Sequence, residues 1–158
     1  MFGLVYISTK ALLKDEIQKN PEVGKIIARS IDTGEMVNDN IVCPIIERRL
    51  KQSDCKVNGW IMEGFPYTKT QVNVLKALKI KPSIVFVMEQ SEEESEKRMA
   101  QKRIDPLTGI LYNMEVNPPA DETTTGRLVE MAEDNIDIIK KLIKSWKSQL
   151  LVIEDSFR

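Results

Sequence analysis

The 158-residue chain contains no histidine. That removes histidine triads, histidine metal sites and acid–base steps at an imidazole from any mechanism it could run. Chemistry is left to the hydroxyls, phenols, carboxamides and thiols of the chain, with 24 carboxylates and 23 lysines and arginines among which no type or spacing alone selects a site. Taken singly, such residues have ordinary readings: Thr9 as a helix cap, Gln71 as an exposed helix residue, the cations as solvated surface charges. Cys43 and Cys55 match neither a zinc framework nor a disulfide scaffold, so they are expected as thiols in a reducing compartment, with no zinc. No Gly-rich segment followed by Lys-Ser or Lys-Thr, the backbone cradle that holds phosphates at a helix start, occurs in the sequence.

The elements that must position these residues alternate between short β-rich runs and helical patterns, which predicts an α/β fold with a mainly parallel sheet. Leu4–Ile7 reads as a buried strand, with Ser8 or Thr9 capping the helix that follows. Pro21 opens a second helix that Gly34 stops, and Asn38 caps a third. Pro44 is expected to kink that third helix or shift its start. Trp60–Met62 reads as a strand, 69–78 as a helix, and Ser83–Val87 as the clearest buried strand. Ser91 with Glu94 forms a capping box for a helix ending near Arg98. From Ile104 to about Thr125 the helical period vanishes, an excursion expected to be a functional loop or small lid. A helix over about 133–148 and a last strand at Leu150–Ile153 complete the pattern.

Apolar residues make up 42% and charged residues 30%, ordinary for a folded domain, and the net charge is −1 with the two signs interspersed. No basic stripe points to nucleic acid and no apolar run is long enough to cross a bilayer, so neither partner is expected.

The ordered motifs resemble the adenylate kinases. Ile7-Ser8-Thr9, Thr33-Gly34-Glu35-Met36-Val37, Asp54-Cys55, Gly59-Trp60-Ile61 and Gly64-Phe65-Pro66 follow that family's order and spacing. Lys102-Arg103-Ile104-Asp105-Pro106, Thr108-Gly109, Tyr112 and Asn117-Pro118-Pro119 are similar to its lid. The resemblance implies a P-loop-kinase-like parallel sheet flanked by helices, with a helical monophosphate-binding insertion at 8–52 and a short lid at 103–127 inside one domain over 1–158. It implies Mg2+ with ATP, and nucleotides as partners. It assigns Thr9, Lys14, Met36, Val37, Gly64, Tyr67 and Gln71 to AMP. Arg98 and Lys102 go to ATP, Lys102 and Arg127 to catalysis, and Glu63 to the magnesium through water.

The departures from the family's pattern are as telling. Lys14 and Tyr67 stand where arginines are expected, and a tyrosine offers no charge to a phosphoryl group. The family's first strand, phosphate loop and last helix have no counterpart in the 158 residues. The expected reaction, ATP + AMP = 2 ADP, is therefore ancestral, with the chain inactive as it stands. The alternative is an inactive scaffold domain in a larger assembly, cytoplasmic or ciliary. The absent strand would lie between the strands at Trp60–Met62 and Ile84–Val87. It is expected either to come from outside these residues, a larger assembly included, or to be replaced by direct pairing of those two flanking strands.

Overall fold

In the computed structural model, which describes residues 3–157, Val5–Ser8 forms strand β1 and passes directly into helix α1, Thr9–Lys19. Where the chain starts, at Met1, lies outside the described residues. Ser8 is the cap, its Oγ accepting from the Ala11 N–H at 3.4 Å, and Thr9 is the first helical residue. Helix α2, Pro21–Thr33, begins on a proline whose missing N–H the first turn does not use, and it ends where Gly34 turns to φ +68°. Gly24 lets α2 lie against α1: a Cβ there would stand 2.7 Å from the Ile17 carbonyl oxygen. Asn38 caps α3, Asp39–Leu50, through a 2.9 Å bond from the Asn40 N–H. That cap holds the start at Asp39, so Pro44, on the exposed face, does not shift it.

After helix α4, Ser53–Asn58, strand β2, Trp60–Glu63, pairs in parallel with β1, residue Val5 opposite Trp60 through Ser8 opposite Glu63. Helix α5, Lys69–Ala77, is capped by Thr68. Ile7 from β1, Leu13 from α1, Ile27 from α2, Ile46 from α3, Phe65 and Leu75 bury together as the core, each such side chain contributing about 1.5–3 kcal/mol.

Packing divides the described chain into two units. The first comprises 3–31, 36–85 and 146–157 and holds the parallel pair and its core; the second comprises 32–35 and 86–145. In the second, Ser91 Oγ accepts from the Glu94 N–H at 3.1 Å and caps α6, Glu92–Ala100. Strands β3, Lys102–Ile104, and β4, Leu111–Asn113, form an antiparallel hairpin, followed by α7, Glu122–Arg127, and a 3-10 turn at Ala132–Asp134. The region expected as a loop or lid is thus a hairpin with a short helix. Helix α8, Ile136–Asp155, is the last element.

Two expected strands are corrected. Leu150–Ile153 belongs to α8, because its less exposed positions, Ile139, Ile143, Trp146, Leu150 and Ile153, keep the helical interval to the end while Leu151 and Val152 face outward. Ser83–Val87 is neither a strand nor buried: Ile84 is 69%, Phe86 80% and Met88 84% exposed. β-branched residues favour a pleated conformation, but a strand exists only through hydrogen bonds to a neighbour. Among the described residues the parallel sheet has only β1 and β2. Direct pairing between β2 and the 84–87 run therefore does not occur.

Candidate functional site

In the first unit the C-terminal end of the parallel pair gathers three of the expected site residues. Thr9 is buried at the start of α1, and its hydroxyl donates to the Glu63 carbonyl at 3.0 Å. Gly64 follows at φ +78°, a conformation few other residues adopt, and a Cβ there would sit 3.4 Å from the Thr9 Cβ. The Tyr6 hydroxyl donates to the Glu63 carboxylate, and that bond holds the Tyr6 phenol above its ordinary pKa.

A second group forms where the N-termini of α3 and α5 meet. Gln71 is 2% exposed. Its Nε2 donates to Asp39 Oδ1 at 2.7 Å, and its Oε1 accepts from the Tyr67 N–H at 2.6 Å. Thr68 Oγ1 donates to the other Asp39 oxygen at 2.8 Å and accepts from the Gln71 N–H at 3.1 Å. Met36 and Val37 lead straight into this group, Val37 buried and Met36 at the surface. Lys14 stands exposed on α1. Asp39 and Thr68 were not anticipated from the sequence. Asp39 follows an obvious cap, but its partners lie far along the chain.

In the second unit the two cations expected in catalysis, Lys102 and Arg127, are each held by a carboxylate. Arg127 donates from Nε and Nη2 to the two oxygens of Asp105, at 2.7 and 2.8 Å. Asp105, fully buried, also accepts from the Thr108 hydroxyl at 2.7 Å and the Leu107 N–H at 3.1 Å. The Arg127 guanidinium, with these donors, holds the Asp105 carboxyl well below the usual carboxylate range. Lys102 Nζ donates to Asp134 Oδ1 at 2.6 Å, while Asp134 Oδ2 is buried without a hydrogen-bond partner among the described residues. Arg98 is exposed in the last turn of α6, where its carbonyl accepts from Asn113 Nδ2 at 3.0 Å. The sequence signal for Asp105 was its spacing to Thr108, the span of a turn; Asp134 left none.

Among the described residues no three Asp, Glu or Cys side chains converge as a metal cage. Glu63, a single exposed carboxylate at a strand end already bonded to Tyr6, suits contact with Mg2+ through water. That ion keeps several waters and takes one or two carboxylates together with substrate phosphates. A cleft of about 490 Å³, lined by residues including Leu12, Glu16, Ile45 and Arg48, includes none of the candidate residues. No described helix is long and apolar enough to cross a membrane.

Comparison with known proteins shows the family of the chain. The family model described as "Adenylate kinase" matches residues 1–158. The chain is 32% identical over 158 residues to a protein of Oryza sativa subsp. japonica described as "Probable adenylate kinase 2, chloroplastic", covering 98% of this chain and 54% of the rice protein. It is 30% identical over 145 residues to "Adenylate kinase, chloroplastic" of Zea mays, covering 92% of this chain and 65% of the maize protein. It is 31% identical over 156 residues to "Adenylate kinase" of Buchnera aphidicola subsp. Schizaphis graminum, covering 96% of this chain and 72% of that protein. The chain thus spans about half the rice protein's length and just under two-thirds of the maize protein's.

Proposed function

Since the chain belongs to the adenylate kinase family, we propose that it is the greater part of a nucleoside monophosphate kinase domain. The reaction of the whole is Mg2+-dependent transfer of the terminal phosphate of ATP to AMP. The observation that carries this reading is the junction of Thr9, Glu63 and Gly64 at the C-terminal end of a parallel pair, the end of an open α/β sheet where ligands bind. Residues 8–52 form the monophosphate-binding part and 103–127 the lid. Thr9, Lys14 and Tyr67 meet the phosphate of AMP, Gly64 lets the backbone approach it, and Met36, Val37 and Gln71 meet the adenine. Arg98 lies against the base of ATP.

Lys102, one ammonium on one carboxylate oxygen, keeps donors for the ATP phosphates. Arg127 has spent Nε and Nη2 on Asp105 and braces the lid at least as much as it contacts substrate. Magnesium, held by the phosphates with Glu63 behind its water shell, would offset the charge of the transferring group.

The chain as written does not complete this reaction, because no backbone cradle for the β- and γ-phosphates is present in its 158 residues. The rival reading is an inactive scaffold domain, favoured by Tyr67 in place of an arginine and by the exposed apolar run at 84–88. Among the described residues that run has no strand neighbour, which a larger assembly would supply. The buried free thiols Cys43 and Cys55 fit a reducing compartment such as the cytoplasm. A ciliary location rests only on the lid motif, and none of the three relatives is described as ciliary.

Calorimetry with AMP and a coupled phosphotransfer assay test the reading together. The full chain is expected to bind AMP more weakly than the low micromolar range and to give no turnover. Turnover well above background, or no AMP binding even at millimolar concentration, would overturn it.

A further inference from the structure

The geometry assigns Asp39 as a positioning residue that sets purine selectivity, by fixing which way round Gln71 presents its carboxamide. The inference rests on the reading of Gln71 as the group that meets the base of the monophosphate.

A carboxamide can turn over, exchanging its oxygen and nitrogen, at almost no cost in shape. Here both ends are dictated by groups with a fixed polarity. The Tyr67 backbone N–H can only donate, so the atom 2.6 Å from it must be Oε1. An ionised Asp39 carboxylate can only accept, so the atom 2.7 Å from it must be Nε2. Thr68, donating to the second Asp39 oxygen at 2.8 Å, holds that carboxylate in place. Gln71 is 2% exposed, so it has no room to swing to another rotamer.

A primary carboxamide carries two hydrogens and two lone pairs. These bonds take one of each and leave one of each. The remaining pair, a donor and an acceptor in a set order, complements an edge with an acceptor at N1 and a donor at the exocyclic group, which is adenine. Hypoxanthine and guanine carry the reverse order and would need the amide turned over. Turning it would set Nε2 against the Tyr67 N–H and Oε1 against the Asp39 carboxylate, two repulsive contacts at once. Asp39 therefore excludes 6-oxopurines without touching the nucleotide.

Calorimetry of AMP against IMP on the full chain tests this. The parent is expected to prefer AMP by tenfold or more. In Asp39→Asn the new side-chain NH2 can face Gln71 Oε1, the amide is free to turn, and the AMP-to-IMP ratio is expected to fall at least tenfold. Thr68→Ser, which keeps the hydroxyl that donates to Asp39, is expected to keep the ratio within about threefold. Should Asp39→Asn fail to fold, NMR of the nucleotide-free parent decides: one Gln71 side-chain NH2 proton slow to exchange supports the assignment, and two freely exchanging protons overturn it. An unchanged ratio in a folded Asp39→Asn, or a parent that binds AMP and IMP equally, overturns the role of Asp39 and leaves the AMP site standing. A parent that binds neither nucleotide overturns both.

Discussion

Replacing Gln71 with glutamate changes one NH2 group into an oxygen, and it is expected to turn the α3–α5 junction from a stabilising contact into one that loses strength as pH rises. The new oxygen would stand where Nε2 is, 2.7 Å from Asp39 Oδ1. Two charges at that separation repel by about 6 kcal/mol at an effective dielectric of about 20. Keeping the introduced carboxyl protonated at pH 7 is cheaper, at about 1.36 kcal/mol for each of the roughly 2.7 pH units above the unfolded glutamate pKa of about 4.3, or about 3.7 kcal/mol. The proton therefore stays, and donates to Asp39 in place of the lost N–H.

The folded pKa of the introduced carboxyl is thus raised above its unfolded value. The Gln71→Glu variant keeps its full stability below about pH 4.3 and loses it as pH rises toward the folded pKa, by about 1.4 kcal/mol per unit. Against a typical net stability of about 5–15 kcal/mol, the loss at pH 7 is large. Trp60 and Trp146, the only tryptophans, both belong to the unit that contains Gln71, so urea unfolding followed by fluorescence reads the right part of the chain. The test is the parent-minus-variant difference between pH 4.5 and 7. A difference that is flat across that range would refute the contact between Gln71 and a carboxylate.

Tyr67→Arg is expected to tighten AMP binding roughly tenfold to a hundredfold by calorimetry, since a charge-assisted hydrogen bond is worth about 1.5–3 kcal/mol; no gain would mean the position does not face the phosphate. Gly24→Ala should lower thermal stability even though alanine favours a helix by up to about 1 kcal/mol. Its Cβ would meet Ile17 backbone atoms at 2.7 and 2.9 Å, and overpacking costs about 1–3 kcal/mol; a raised melting temperature would show that the helices are not so close. In the hairpin unit the Asp105 carboxyl is held low by Arg127. Its contribution is therefore present above the unfolded aspartate pKa of about 3.9 and lost as pH falls below it. The hydrogen-exchange protection of the Ile104 and Val129 amides, which bond to each other's carbonyls at 3.0 Å, should fall below about pH 4 in the parent, measured relative to the intrinsic rate at each pH. Arg127→Met should already exchange faster at pH 7. Equal protection in the two proteins would show that the ion pair does not brace the hairpin.

The site divides in the same way as these tests. Thr9, Gly64 and Gln71 were marked through the resemblance to the adenylate kinases, and the structure puts Thr9 against Gly64 and buries Gln71 against the start of α3. The carboxylates that govern Gln71, Arg127 and Lys102 could not be marked from the sequence. Asp39 acts on Gln71 from 32 positions away, Asp105 on Arg127 from 22, and Asp134 on Lys102 from 32. An aspartate that will be buried against a cation reads, in the sequence, like one that will be solvated.

Features whose hydrogen bonds close within a turn were legible in the residues alone. The caps at Ser8, Asn38 and Ser91 each satisfy an N–H two or three residues on, and Gly34 ends α2 by its own backbone freedom. Whether an apolar run became strand or helix was left to the packed fold, because both states bury such residues and only neighbours distinguish them. Leu150–Ile153 continued a helix whose one-sided burial had already been set by Ile139 and Trp146. Ile84–Val87 had strand-forming residues and, among the described residues, no strand beside it. A pleated segment borrows its hydrogen bonds from another segment, and no local sequence can supply them.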